Sequence, residues 1–150
     1  MKSIILTTVA TATLIFATGC NGTKKASGNH GQNTAAKETV QLSGAWELTY
    51  ISGPKIAFAG LFPNKKPLIF FDFPTEEASG NGGCNGYSVK VKVDGNKITF
   101  GDALSTMMAC EGNGEQVFFD TLKKITSYSI GDQLLTLLSG DIALMRFIKK

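Results

Sequence analysis

One run of seven residues constrains the fold more than any other part of this sequence. Residues 87–93 read YSVKVKV, so apolar and polar side chains alternate along the whole run. Successive side chains of a strand point to opposite faces, so the run predicts a β-strand with one buried and one wet face. Asp94-Gly95-Asn96 then separates it from Lys97–Phe100, and both Gly and Asn accept the positive φ of tight turns. The two runs therefore predict an antiparallel hairpin.

Five other segments are rich in strand-forming residues and are bounded by turn residues. They are Trp46–Ile51, Leu68–Phe73, Tyr128–Ile130, Leu134–Leu138 and Ile142–Ile148. The second of these is apolar on both sides, which predicts a central strand. The Gly-rich stretch at residues 80–86 leads into a strand and not a helix, so we interpret it as a turn or bulge and not as a phosphate-binding loop.

The hydrophobic period changes in the last third of the chain. Phe118, Leu122 and Ile125 are spaced i, i+4 and i+7, which predicts one amphipathic helix over about Gly114–Ile125. Asn113 is placed to cap this helix through its side chain. Together the elements predict an α+β fold, in which an antiparallel β-sheet or rolled half-barrel packs against one amphipathic helix.

The N-terminal residues are typical of an export signal. A charged start precedes thirteen uncharged residues, Ile4–Phe16, too few to cross a bilayer as a helix. Ala17-Thr18-Gly19-Cys20 resembles the bacterial lipobox, in which the cysteine is lipidated and becomes the N-terminus after cleavage. We therefore predict a lipoprotein signal peptide at residues 1–19 and lipidation at Cys20. The alternative is an ordinary secretory peptide in which the cysteine falls there by chance.

Residues 20–39 contain almost no large apolar side chains, so burial cannot offset the entropy of ordering them. We predict a flexible, lipid-anchored tether over this range and one folded domain over residues 40–150. Asn21 is not the Asp that often retains such lipoproteins in the inner membrane. By this resemblance the expected location is the cell envelope, at the periplasmic face of an outer membrane.

The charge distribution and the single histidine exclude several classes of function. The whole chain carries a formal charge of +3, but Lys and Arg balance Asp and Glu, eleven of each, from Val40 onward. A neutral domain gives no support to nucleic-acid binding. His30 precedes the domain, which excludes triads and metal sites that require a histidine inside it.

Two cysteines remain once Cys20 is assigned to the lipid. Cys84 and Cys110 form an even pair in an exported chain, which favours a disulfide. The alternative is two buried free thiols on neighbouring segments, and the separation of their Cα atoms distinguishes the two cases.

Three segments of the sequence together resemble the META domain, also called HslJ-like, of bacterial envelope lipoproteins. They are Leu42–Leu48, Ser79–Tyr87, and Thr106–Cys110 followed by Glu115 and Phe118. The resemblance covers about residues 40–149. The residues that carry the motif are Trp46, Gly83, Cys84, Asn85, Thr106, Met107 and Cys110.

The resemblance implies a small antiparallel β-rich domain with a helix and no established catalytic activity. Members of this family are associated with heat shock, envelope stress or tolerance of an antibiotic. We therefore expect a non-catalytic structural or binding role, with no catalytic residues, no metal and no cofactor. The expected partners are the membrane, through the lipid on Cys20, and an envelope protein that the sequence does not identify.

Three alternative functions stay open at this level. A hydrolase could use carboxylates in a cleft, and the candidates are Asp72, Glu76, Glu77 and Asp102. A copper-handling protein could use soft sulfur ligands, supplied by Met107, Met108, Cys84 and Cys110. An inhibitor of an envelope-directed enzyme would need an exposed rigid loop, for which Lys55–Pro67 is the candidate.

Overall fold

The computed structural model describes residues 40–150, so the predicted signal peptide, the tether and Cys20 lie outside the described residues. Nine strands occur in this range. They are β1 (Gly44–Ile51), β2 (Leu68–Asp72), β3 (Glu77–Asn81), β4 (Gly86–Asp94), β5 (Lys97–Phe100), β6 (Leu104–Ser105), β7 (Ser127–Gly131), β8 (Leu134–Ser139) and β9 (Ile142–Lys149). Residues 40–42 are helical, and the other helices are α1 (Phe58–Leu61) and α2 (Gly114–Leu122), with a 3₁₀ turn at Phe73–Thr75.

Eight of these strands close into an antiparallel barrel. The strand order is β3-β2-β1-β9-β8-β7-β5-β4, and β4 also pairs with β3, which completes the circle. β6 lies outside this circle and adds to β4 beside β5. The predicted antiparallel sheet is therefore confirmed, with α2 as the predicted helix, but the sheet is a closed barrel and not the predicted half-barrel, and α1 is a second, short helix.

Closure depends on pairings that join distant parts of the chain. β1 pairs with β9 from Trp46 opposite Lys149 to Ile51 opposite Met145, so the first and last strands lie side by side. β5 and β7 share one register pair, Lys97 opposite Ser127, which makes this the shortest seam of the barrel. A closed barrel leaves little unpaired sheet edge for another chain to extend, and the exception here is the seam between β5 and β7.

The barrel interior is filled by side chains at alternate strand positions. Tyr87, Val89 and Val91 face inward as the alternation predicts, and Val93 is half-buried. The predicted hairpin between β4 and β5 is confirmed, with Gly95 in the left-handed region at φ +56°. The side chains with essentially no exposed surface are Trp46, Leu48, Ile69, Phe71, Ile98, Leu135, Leu137, Met145 and Phe147 in the strands, and Leu42 and Phe118 outside them.

Helix α2 packs its apolar side on the barrel. Phe118 is fully buried, and its ring lies 5.6 Å from the ring of Tyr87. The helix ends at Leu122, three residues before the predicted end, and Ile125 is buried in the turn that follows. The predicted cap is wrong, because Asn113 makes no side-chain cap hydrogen bond and its backbone is not extended.

Antiparallel connections place the loops at two opposite ends of the barrel. One end, here called the loop end, carries the connections at residues 52–67, 82–85, 101–126 and 140–141. The other end carries residues 40–43 and the short turns at 73–76, 95–96 and 132–133. Within residues 40–150, no helix has the length and apolar character needed to cross a bilayer.

Candidate functional site

A buried asparagine at the loop end connects three segments that are far apart in the sequence. Asn85 is 3% exposed and directly precedes β4. Its Oδ1 accepts hydrogen bonds from Thr106 Oγ1 and from the backbone N–H of Met108, each at 2.8 Å. Its Nδ2 donates to Glu115 Oε2 at 2.7 Å, to Cys110 Sγ at 3.0 Å and to Met108 O at 3.2 Å. This group of five residues is called the asparagine clamp.

The clamp includes a disulfide next to the asparagine. Cys84 and Cys110 are bridged, with Cα atoms 6.0 Å apart, and they are separated by 26 positions in the sequence. The predicted disulfide is confirmed, and the alternative of two free thiols is wrong. A loop of this length contributes about 3.5 kcal/mol in the chain-entropy description, which is a large fraction of the stability of a small domain.

Glu115 joins the helix to the clamp. Its Oε1 accepts a hydrogen bond from the backbone N–H of Asn85 at 2.6 Å, while Oε2 accepts the bond from Nδ2. A carboxylate in the first turn of a helix also lies in the favourable field of the helix dipole. Glu115 was noted in the sequence beside the family motif, but its bonding to Asn85 was not predicted. The one signal in the sequence was its place as the acidic residue in the first turn of the predicted helix.

Glycines allow the segments around the clamp to approach closely. Gly83 has φ +107°, and a Cβ there would lie 2.7 Å from the Phe62 ring. A Cβ at the buried Gly114 would clash with the carbonyl oxygen of Leu61. The Gly-rich stretch therefore serves close packing, in agreement with the predicted turn, although Gly80 itself lies within strand β3 and not in the turn.

A cleft of about 390 Å³ opens beside the disulfide. One wall is formed by residues 61–65 and the other by residues 109–111, with Glu115 and the bridged cysteines between them. Leu61 and Phe62 are buried, so they fix the first wall to the core. The predicted inhibitory loop Lys55–Pro67 thus contains helix α1 and supplies one side of this cleft.

The carboxylates proposed for a hydrolase do not meet at the cleft. Glu77 pairs with Lys90 at 2.7 Å, and Asp102 pairs with Lys123 at 3.0 Å. Asp72 and Glu76 flank the turn between β2 and β3, at the end of the barrel opposite the loop end. The acidic side chains that line the cleft are instead Glu111 and Glu115.

The sulfur atoms proposed for copper binding are not available as a set. The disulfide consumes both thiols, and the Met107 side chain is 98% exposed. Across residues 40–150, no three His, Cys, Asp or Glu side chains are grouped so that they could hold a metal ion.

Trp46 is the motif residue that lies away from the clamp. Its Nε1 donates to the carbonyl oxygen of Leu42 at 2.7 Å, and Lys149 Nζ lies 4.9 Å from its ring centre. These contacts fasten the residues before β1 to the barrel. Trp46 therefore closes the end opposite the loop end, whereas Gly83, Cys84, Asn85, Thr106, Met107 and Cys110 all lie together.

Comparison with known families agrees with this geometry. The model of the META domain matches residues 38–150. The chain belongs to the META domain family. The match begins two residues before the described part of the chain and includes every residue of the asparagine clamp. No match is found among curated proteins.

Solved structures share the fold of this META domain at low sequence identity. The NMR structure of a protein from Burkholderia xenovorans has a TM-score of 0.58 and 24% identity, and the alignment covers 76% of this chain and 87% of that one. The crystal structure of a DUF4847 family protein from Bacteroides vulgatus has a TM-score of 0.54 and 15% identity, covering 76% and 97%. Likeness at these identities concerns the barrel fold alone.

Proposed function

We propose that this META domain is a non-catalytic binding component of the bacterial envelope that acts in the response to envelope stress. In this proposal a lipid on Cys20 holds the protein at the periplasmic face of the outer membrane. The domain works by contact with another envelope protein at the loop end of the barrel.

The observation that carries the proposal is that the carboxylate and the sulfur atoms of the clamp are already engaged in structural bonds. Both oxygens of Glu115 accept hydrogen bonds from Asn85, and both sulfur atoms of the cysteine pair are in the bridge. The segment that the clamp holds also exposes large apolar side chains: Leu104, Met107 and Met108 are 76%, 98% and 60% exposed. Exposed apolar side chains on a fixed segment favour contact with a partner over chemistry.

The disulfide also supports a location outside the cytoplasm. Disulfides persist in oxidising compartments and are rare where thioredoxin and glutathione keep thiols reduced. This agrees with the export signal predicted from residues 1–19 and with the small residues that precede Cys20. The two lines of argument are independent, since one rests on the folded domain and the other on the N-terminal sequence.

Photocrosslinking in intact cells tests the binding role. A photoreactive amino acid replaces Met107, and a matched variant carries it at the exposed Lys92 on β4, away from the clamp. We expect a discrete crosslinked product from position 107 and none from position 92. Equal labelling from both positions, or no product from position 107, contradicts a partner site at the loop end.

Radiolabelled palmitate tests the anchor separately. We expect the label in the natural chain and its loss in Cys20→Ala, together with release of the protein from the membrane fraction. Label that persists in Cys20→Ala shows that the lipid part of the proposal is wrong and leaves the binding role to be judged by crosslinking.

A further inference from the structure

The exposed segment that follows β6 has a shape suited to one class of partner. Residues 106–109 run without helix or turn, and the Met107 side chain is 98% exposed. A single exposed apolar side chain is ordinary on a protein surface. Here, however, the backbone on both sides of Met107 is fixed to the same buried side chain.

The carboxamide of Asn85 holds the two neighbours of Met107. Thr106 Oγ1 donates to Oδ1 at 2.8 Å; Met108 donates its N–H to Oδ1 at 2.8 Å and accepts at its carbonyl from Nδ2 at 3.2 Å. The carboxamide therefore acts as a spacer between the residues on either side of Met107, and Met107 itself is exposed. The backbone conformation of this segment is set by the core and not by its own sequence.

Two further contacts fix the ends of the same segment. Upstream, Ser105 pairs with Tyr87 in the β6–β4 ladder, and the Thr106 N–H donates to the Gly86 carbonyl at 3.0 Å. Downstream, Cys110 is covalently joined to Cys84. Residues 105–109, here called the docking loop, are thus held at both ends and in the middle, so that binding them costs little conformational entropy.

We infer that the docking loop is an inhibitory loop for an endopeptidase whose main specificity pocket accepts an unbranched apolar side chain. The inference rests on the proposed binding function and names the class of partner. Endopeptidases bind an extended backbone and place one side chain in a deep pocket. The docking loop offers a backbone without helix or turn that is already fixed in place, with Met107 as the side chain for the pocket. Complexes of peptidases with their protein inhibitors are typically preorganised in this way.

The clamp also explains how such a loop would resist net cleavage by the peptidase that it inhibits. Hydrolysis of the Met107–Met108 peptide bond adds one water and leaves a carboxyl group on Met107 and an amino group on Met108. Thr106 and Met108 stay hydrogen-bonded to Asn85, and Cys110 stays bridged to Cys84, so the two new ends remain close together. The reverse reaction then reforms the bond and releases the water, since proximity replaces a bimolecular encounter.

Inhibition assays with chymotrypsin and subtilisin, whose pockets accept large apolar side chains, test the inference. The full chain carries Cys20→Ser so that no lipid is attached. We expect competitive inhibition of peptide hydrolysis that Met107→Asp weakens about 30-fold or more, as expected for loss of a central contact residue. The matched surface variant Lys92→Asp is expected to inhibit as the natural chain does.

Cleavage rates of the natural chain and of one variant distinguish an inhibitory loop from a loop that is only exposed. We expect slow cleavage at Met107–Met108 in the natural chain and faster cleavage in Thr106→Val, which removes one hydroxyl bond to Asn85 while the disulfide stays. Absence of inhibition of both peptidases, inhibition unchanged by Met107→Asp, or equal cleavage in Thr106→Val overturns the inference. A crosslink from position 107 to a protein that is not a peptidase also overturns it and leaves the binding function in place.

Discussion

Asn85 donates two hydrogen bonds to Glu115, one to each carboxylate oxygen, from its backbone N–H at 2.6 Å and from its side-chain amide at 2.7 Å. The two residues are 30 positions apart, so these bonds join the start of β4 to the first turn of α2. Because the same asparagine also holds Thr106 and Met108, its loss affects the helix and the docking loop together.

Replacing Asn85 tests this connection. Asn85→Asp places a second carboxylate against Glu115 and removes the amide donor, so we expect the free energy of unfolding to fall by about 2–4 kcal/mol. Asn64→Ala, at an exposed position in the wall of the cleft, is the matched control and is expected to change it by less than about 0.5 kcal/mol. Urea denaturation measures both, and similar values for the two variants would contradict the clamp.

Reduction of the Cys84–Cys110 bridge is expected to lower the free energy of unfolding by about 3.5 kcal/mol. The physical reason is that reduction opens the covalent loop, which raises the conformational entropy of the unfolded chain. Urea denaturation with and without reductant measures the difference. The double variant Cys84→Ala/Cys110→Ala is the control, because its stability should be the same in both conditions.

Comparing Gly83→Ala with Gly140→Ala separates the stability cost of a steric clash from the cost of backbone strain. Gly83 and Gly140 both have positive φ, at +107° and +58°, but a Cβ at Gly140 meets nothing within 4 Å. We expect Gly140→Ala to cost about 1–2 kcal/mol from conformation alone. Gly83→Ala should cost about 1–3 kcal/mol more, because its Cβ conflicts with the Phe62 ring. Equal costs in thermal or chemical denaturation would show that the wall of the cleft moves freely.

Alkaline pH is expected to destabilise the domain through Tyr87. Burial raises the pKa of the Tyr87 hydroxyl well above its usual range, whereas the unfolded chain titrates near the ordinary value of about 10. Below that pH the Tyr87 hydroxyl keeps its proton in both the folded and the unfolded state, so it does not make stability depend on pH. As the pH rises above about 10, the unfolded state alone loses the proton, so stability falls by up to about 1.4 kcal/mol per pH unit.

Urea denaturation at pH 9, 10 and 11 measures this effect, and Tyr87→Phe provides the comparison. The phenylalanine variant keeps the ring contacts with Phe118 and loses only the hydroxyl, so its stability should decline less steeply with pH. A decline of equal slope in both proteins would assign the alkaline effect to other groups.

Local patterning predicted the parts of the fold that depend on neighbouring residues. The alternation at residues 87–93 and the turn after Asp94 determined one hairpin, and the spacing of Phe118 and Leu122 determined the buried face of the helix. Strand β3 was missed, because its sequence, Glu-Ala-Ser-Gly-Asn, contains no β-branched or aromatic residue. It is a strand because β2 and β4 pair with it on both sides.

Closure of the barrel and the role of Glu115 could not be predicted because both depend on contacts between residues far apart in the sequence. Pairing of β1 with β9 joins residues about a hundred positions apart, and no local signal reports such a contact. The cap predicted at Asn113 does not form, and the side chain of Gln116, three residues further on, donates to Asp120 at 2.8 Å. The motif residues were identified by family resemblance, and their common site emerged only from the three-dimensional arrangement.

The direction of β1 determines at which end of the barrel the N-terminal residues join the folded domain. The chain enters the barrel through Gln41 and Leu42, which are fastened by Lys149 and Trp46. The eight residues of β1 then carry it about 20 Å along the barrel axis, once the usual strand tilt is allowed for, to the rim that bears Met107. The residues before β1 therefore join the barrel at the end opposite Met107, so a tether at the N-terminus leaves the rim that bears Met107 clear of its own chain.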